Sequence, residues 1–320
     1  LRIQRFRKHK RTRGLRCPSP LPSRIAHMST GPAGHVARST RIPNSETIRH
    51  TPLRTFLHTD DGVTIDSVYD PRSAVYDASP PSAVDLVFVL AHGFTGDVDK
   101  PHVRRVVRAF AQYGAVVSFS FRGHGASGGR STVGDKEVLD LAAAVRWARS
   151  LGHARVATVG FSMGGSVVLR HAALHRPGGA DGSGREGRTE ASTDAVVSVS
   201  APARWYYRGT APMRKLHWLV TRPEGRLVGR YGFNTRIHHR EWDPVPLSPV
   251  EAVPRIAPTP LLIIHGDRDG YFPVDHPRML AAAAGEHGEL WLEDGMGHAE
   301  HAATDELLAR IGNWAVGRAG

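Results

Sequence analysis

The residues best suited to chemistry stand at 160–165, reading Gly160-Phe161-Ser162-Met163-Gly164-Gly165. A serine with small residues two before and two after it fits a sharp turn between a strand and a helix. Such a turn strains the backbone, lets neighbouring chain pass close, and lifts the hydroxyl clear beneath a helix N-terminus. The flanks agree. Val156–Val159 is a short apolar run of the buried-strand kind, and Val167, Val168, Leu169, Ala172, Ala173 and Leu174 repeat with helical spacing. Ser162 is therefore a candidate nucleophile. The same spelling recurs at Gly125-Ala126-Ser127-Gly128-Gly129, but loop rather than helix follows it. That second match is read as chance in a glycine-rich chain.

A serine hydroxyl is a poor nucleophile at neutral pH and needs a base, which in turn needs an orienting acid. In open parallel sheets reacting groups gather just beyond the carboxyl ends of strands. Two later apolar runs end in suitable residues. Pro260–His265 leads into Gly266, Asp267, Arg268, Asp269 and Gly270, and Glu289–Leu292 leads into Glu293, Asp294, Gly295, Met296, Gly297 and His298, with His301 close behind. Asp267 and Asp269 are both candidate acids at this stage, and His298 and His301 both candidate bases.

The elements that must position these groups alternate. Leu53–His58 and Val63–Tyr69 flank an Asp-Gly turn signal and predict a hairpin. Val84–Ala91, Ala115–Phe121 and Asp194–Ser200 read as further strands. Helices are expected from Pro101 to about Tyr113, over Asp135–Ser150, over His276–Ala284 and over Ala303–Val316. Strand and helix alternating at this rhythm predict right-handed βαβ units and a mostly parallel sheet flanked by helices. Two stretches break the pattern. Pro177–Thr193 is Gly-rich and charged, and reads as a flexible loop. Ala203 to about Pro258 carries many of the chain's aromatics among Arg and His, and is expected to form a partly helical lid inserted over the site.

Five stretches in order, HGFTG at 92–96, RGHGASGG at 122–129, GFSMGG at 160–165, HGDRDGYFP at 265–273 and GMGHAE at 295–300, make the chain resemble the α/β-hydrolase superfamily. The likeness is to its serine hydrolases: esterases, monoacylglycerol-lipase-like enzymes and S33-type peptidases. It covers roughly residues 53–320, with 203–258 in the place of the family's variable cap. The resemblance implies Ser162 as nucleophile, His298 as general base and Asp269 as the acid, with Asp267 and His301 as rivals. It also implies an oxyanion hole built from the backbone N–H groups of Phe94 and Met163. The expected reaction is cleavage of a carboxylic ester through an acyl-enzyme. Thioester, small-peptide or C–C bond hydrolysis and non-catalytic binding of a small ligand are the alternatives. One departure stands out: related sequences usually carry Asp where this chain has Ser120.

Charge and composition bound the remaining classes. The net charge is +12, and residues 1–54 hold thirteen Lys and Arg against the single acid Glu46, so the excess belongs wholly to that segment. Residues 1–52 have no apolar periodicity and are expected to be a disordered basic tail. Met28, opening Met-Ser-Thr-Gly-Pro, is the expected natural start. The tail's one aromatic, Phe6, offers little base stacking, so no nucleic-acid partner is expected. The lone cysteine, Cys17, excludes an intrachain disulfide. His171 and His175, His238 and His239, and His298 with His301 each lack a convincing third ligand, so no metal and no cofactor are expected. No apolar run is long enough to span a membrane, and a cytoplasmic location is the default. The partner is a small-molecule acyl substrate; oligomeric state is not legible.

Overall fold

The structure, a computed structural model, describes residues 52–73, 85–176 and 190–319. The expectations about the tail, Met28 and Cys17 lie outside the described residues, as do most of the 177–193 loop and of the connection after Asp70. Eight strands form one sheet: β1 Leu53–His58, β2 Thr64–Asp70, β3 Leu86–Ala91, β4 Ala115–Phe119, β5 Arg155–Phe161, β6 Ala195–Val199, β7 Leu261–Gly266 and β8 Gly288–Glu293. Their order is β1-β2-β4-β3-β5-β6-β7-β8. β1 and β2 pair antiparallel, β2 joins β4 antiparallel, and every pairing from β4 to β8 is parallel.

The interior parallel strands, β3 to β7, are buried on both faces, which is why they read as continuous apolar runs. Alternation still decides where each side chain goes. Val87, Val89 and Ala91 of β3 enter one core layer, and Leu86, Phe88 and Leu90 enter the other. Helices α1 (Pro101–Phe110) and α9 (Asp305–Arg318) cover the second layer, and α2 (Glu137–Ser150), α3 (Met163–Leu174) and α7 (Asp275–Ala284) cover the first. Several boundaries shift by one to three residues, and two of the shifts have a clear cause. α1 stops at Phe110, and its continuation to Tyr113 tightens into turns closed by Tyr113 N–H and Gly114 N–H on the Phe110 carbonyl. The closing helix, expected over Ala303–Val316, runs as α9 over Asp305–Arg318, starting where the Thr304 side chain accepts the Leu307 N–H and caps it, and a separate short helix α8 (Ala299–Ala302) precedes it.

Between β6 and β7 the chain forms α4 (Ala211–Thr221), α5 (Pro223–Gly232) and α6 (Pro249–Ala252). This insertion is stitched to the loop after β4 by isolated backbone bridges, His124 to Thr235 and Ser131 to Ile237. Around them Arg236 N–H donates to the Gly123 carbonyl at 2.7 Å and His238 N–H to the Ser131 carbonyl at 2.8 Å. Trp242 adds a side-chain tie, its Nε1–H donating to the Thr132 carbonyl at 2.7 Å.

Candidate active site

Ser162 occupies the junction of β5 and α3 with φ 52° and ψ −113°. That is left-handed territory, unfavourable for any residue with a Cβ, and conformations of this kind cost about 1–3 kcal/mol. The surroundings enforce it. Ser162 N–H donates to the Val199 carbonyl at 2.8 Å, tying the turn to β6. A Cβ at Gly160 would strike the Gly164 backbone, and one at Gly164 would strike the Ala91 and His92 backbone. Small residues two before and two after the serine are thus needed because other chain already fills the space.

His298 reaches the serine from the far end of the sheet. Its Nε2 lies 2.8 Å from Ser162 Oγ, and its Nδ1 lies 2.7 Å from Asp269 Oδ2. A carboxylate only accepts, so Nδ1 carries the proton and Nε2 is left to accept the serine hydroxyl's. Asp269 follows β7 and is itself held: its Oδ1 accepts Tyr271 N–H at 2.8 Å and Phe272 N–H at 3.1 Å. Burial pulls the Asp269 carboxyl upward, but the hydrogen bond and charge of His298, helped by His265 and the Phe272 N–H, outweigh it and hold the group below the usual carboxylate range. His265 stands behind it, donating Nε2–H to the Phe272 carbonyl at 2.8 Å and lying 3.5 Å from Asp269 Oδ2. The Tyr271 ring stacks on the His298 imidazole at 4.2 Å and limits its rotation.

The rivals go elsewhere. Asp267 is exposed, and its Oδ1 accepts Gly295 N–H at 2.7 Å, bracing the turn before His298. His301 is exposed on α8, with its ring against His102. In the second G-x-S-x-G match, Ser127 is buried, accepts Asp66 N–H and donates to the Ser120 carbonyl. Ser120, in the place of the usual Asp, accepts Val98 N–H at 3.1 Å and so holds the loop after β3. Arg122 and His124 do not border the cavity beside Ser162. Arg122 is clamped by Asp61 and Asp140.

Phe94 and Met163 both line that cavity. Met163 is the first residue of α3, so its N–H has no partner within the helix. Among the described residues neither N–H donates a hydrogen bond. The Phe94 loop is fixed from below. His92 Nδ1–H donates to the Gly93 carbonyl at 2.7 Å, and Nε2 accepts Phe121 N–H at 3.0 Å. Burial, with His124 nearby, pushes His92 down to about 3, so it is a neutral bracket. Gly93 N–H is taken by the Glu300 carboxylate at 3.1 Å.

The cavity has a volume of about 360 Å³. Phe94, Val133, Trp205, Met213, Leu216 and Trp242 give it an apolar wall, while Arg204, Arg208, Arg240 and Glu241 supply polar groups. The aromatics of the insertion divide. Trp205, Tyr206, Tyr207 and Trp242 face the cavity, whereas Trp218, Tyr231 and Phe233 are exposed to solvent and do not line it. Sequence reasoning missed Glu300, His265 and Ser200, whose Oγ accepts Ala299 N–H at 3.0 Å beside His298. Glu300 and Ser200 act between segments far apart in sequence, and His265 acts within the loop that follows its own strand.

A sequence model described as the alpha/beta hydrolase family matches residues 88–311. The chain belongs to the alpha/beta hydrolase family. A monoacylglycerol lipase of Mycolicibacterium smegmatis is 27% identical over 266 residues, covering 76% of this chain and 92% of the lipase. Among solved structures, an esterase of Pyrococcus furiosus, Pf2001, superposes with TM-score 0.60 at 22% identity over 87% of this chain and 96% of its own. The α/β hydrolase GrgF of Penicillium sp. sh18 gives TM-score 0.61 at 16% identity over 84% and 99%. At such identities these two report the fold alone. No helix among the described residues of this family member is long and apolar enough to cross a membrane.

Proposed function

We propose that the chain is a serine hydrolase that cleaves carboxylic esters, with the β6–β7 insertion as a cap over the acyl site. The observation that carries this is the unbroken hydrogen-bonded chain from Ser162 Oγ through both nitrogens of His298 to Asp269 Oδ2. Ser162 attacks the ester carbonyl while its proton passes to His298 Nε2, and Asp269 stabilises the imidazolium and fixes its tautomer. The carbonyl oxygen becomes an oxyanion held by the N–H groups of Phe94 and Met163, each such donor being worth about 3–4 kcal/mol. Collapse expels the alcohol, which takes the proton from His298. Water then repeats the sequence on the acyl-enzyme, with His298 as base, and releases the acid.

An apolar cavity of about 360 Å³ with arginines among its lining groups suits an acyl chain attached to a small polar alcohol. The kinship with a monoacylglycerol lipase points the same way. The test is a panel of p-nitrophenyl esters of increasing acyl length, run on the native chain and on Ser162→Ala, with fluorophosphonate labelling as a second readout. Turnover and labelling should both vanish in the variant. Folded native protein that hydrolyses no ester and takes no label would overturn the reading; labelling without ester turnover would move it to thioesters or peptides.

A further inference from the structure

Away from the cavity, ligating side chains from the two ends of the sequence meet. His102 lies in the first turn of α1, Glu300 and His301 lie in α8, and one ligand atom from each falls within 4.8 Å of the other two. The two imidazole rings are 4.0 Å apart between centroids, and His102 Nε2 stands 3.8 Å from Glu300 Oε1. We propose that His102, Glu300 and His301 form a binding site for one divalent cation of the zinc class, two imidazole nitrogens and a carboxylate oxygen being its protein ligands and water its fourth.

The carboxylate makes the strongest case. Glu300 is 4% exposed, and a buried carboxylate is costly unless an opposite charge or a metal compensates it. Among the described residues its contacts are the Gly93 N–H at 3.1 Å and the edge of His102 at 3.8 Å, with no Lys or Arg within ion-pair distance. The neighbouring cations are engaged elsewhere: Arg105 with Asp305 and the Glu300 and Ala303 carbonyls, Lys100 with Asp97.

The donor set selects the ion. Two nitrogens and one oxygen match zinc with an open position, whereas calcium and magnesium take mostly oxygen ligands. Bonds of about 2.0–2.1 Å set ligand atoms roughly 3.3 Å apart around a tetrahedron, so the site must contract by about 1.5 Å at most. The exposed His301 side chain has the freedom to supply that movement.

The test is titration of the full chain with Co²⁺, whose tetrahedral complexes absorb in the visible, followed by displacement with Zn²⁺. One equivalent should bind. His102→Ala and His301→Ala should each weaken binding by at least about tenfold, while Ser162→Ala and His298→Ala leave it unchanged. Absence of a Co²⁺ band at millimolar metal overturns the proposal, and so does binding that survives the His102→Ala/His301→Ala double variant. Because His301 is exposed, its single variant keeps the test open should His102→Ala fail to fold. The readout needs no turnover, so the site stands or falls separately from the esterase reading.

Discussion

The Glu300 carboxylate accepts the N–H of Gly93 at 3.1 Å across 207 residues of sequence. It joins the loop that bears Phe94 to the segment that bears His298, one donor and one base of the proposed reaction. Replacing it with alanine leaves a buried N–H unsatisfied, at about 1–3 kcal/mol. Glu300→Ala should therefore lower the melting temperature and also reduce kcat about tenfold with KM little altered, short of the 10²–10³ that a missing oxyanion donor costs. Loss of stability with kcat intact would make Glu300 merely structural.

Asp269→Asn keeps the shape of the side chain but puts an amide against His298 Nδ1, favouring the wrong tautomer. The expected loss in kcat is about 10⁴-fold. Asp267→Asn, at an exposed turn brace, should change kcat by less than a factor of a few. Steady-state kinetics on one ester compares the two, and equal losses would undo the assignment of the acid.

Ser162 holds φ 52° with a side chain attached. Glycine adopts that conformation freely, so Ser162→Gly should be more stable than Ser162→Ala by about 1 kcal/mol. Urea unfolding of the two inactive variants measures the difference. A glycine variant no more stable than the alanine one would mean that the turn is unstrained.

Three buried histidines are kept neutral. Burial is the largest cause in each case, taking His92 to about 3 and His124 and His276 to about 4. Their folded values lie below the unfolded 6.5, so their contribution is complete above pH 6.5 and is lost as pH falls toward 4. For fully buried His124 the loss is on the order of 2 kcal/mol at pH 5. Unfolding midpoints should thus drop steeply between pH 6.5 and 4, and His124→Phe should flatten part of that slope. A midpoint that stays level across this window would contradict it.

Trp242 ties the β6–β7 insertion to the loop after β4 through the Thr132 carbonyl. Trp242→Phe retains an aromatic wall but frees that tie, at about 1 kcal/mol. The expected result is a fall in kcat/KM that grows with acyl length across the ester panel. A uniform fall for all esters would place the effect in global stability instead.

Much of this was legible in the sequence because the interior parallel strands are buried on both faces and read as unbroken apolar runs, Leu86–Ala91 being the clearest. Ser162 announced itself through glycines that steric crowding demands. Asp269 and Asp267 were not separable by spacing alone, since two residues on a turn differ only in which way the loop folds; the Tyr271 and Phe272 N–H groups decide it. The start of α9 at Asp305 rather than Ala303 follows from the capping chemistry of Thr304, which the apolar period alone does not mark. His102 was invisible as a companion of His301, because α1 and α8 lie nearly 200 residues apart in sequence and meet only in the folded chain.

The insertion between β6 and β7 is sewn to the loop after β4 at Thr235 and Ile237 by main-chain contacts. Backbone pairing of that kind is indifferent to side-chain identity, so mutation can rewrite the ceiling of the binding chamber without unfastening it. New substrate preferences would then arise by exchanging residues such as Met213 or Leu216 on a fixed frame, and a library confined to those positions should yield altered acyl selectivity in proteins that still fold.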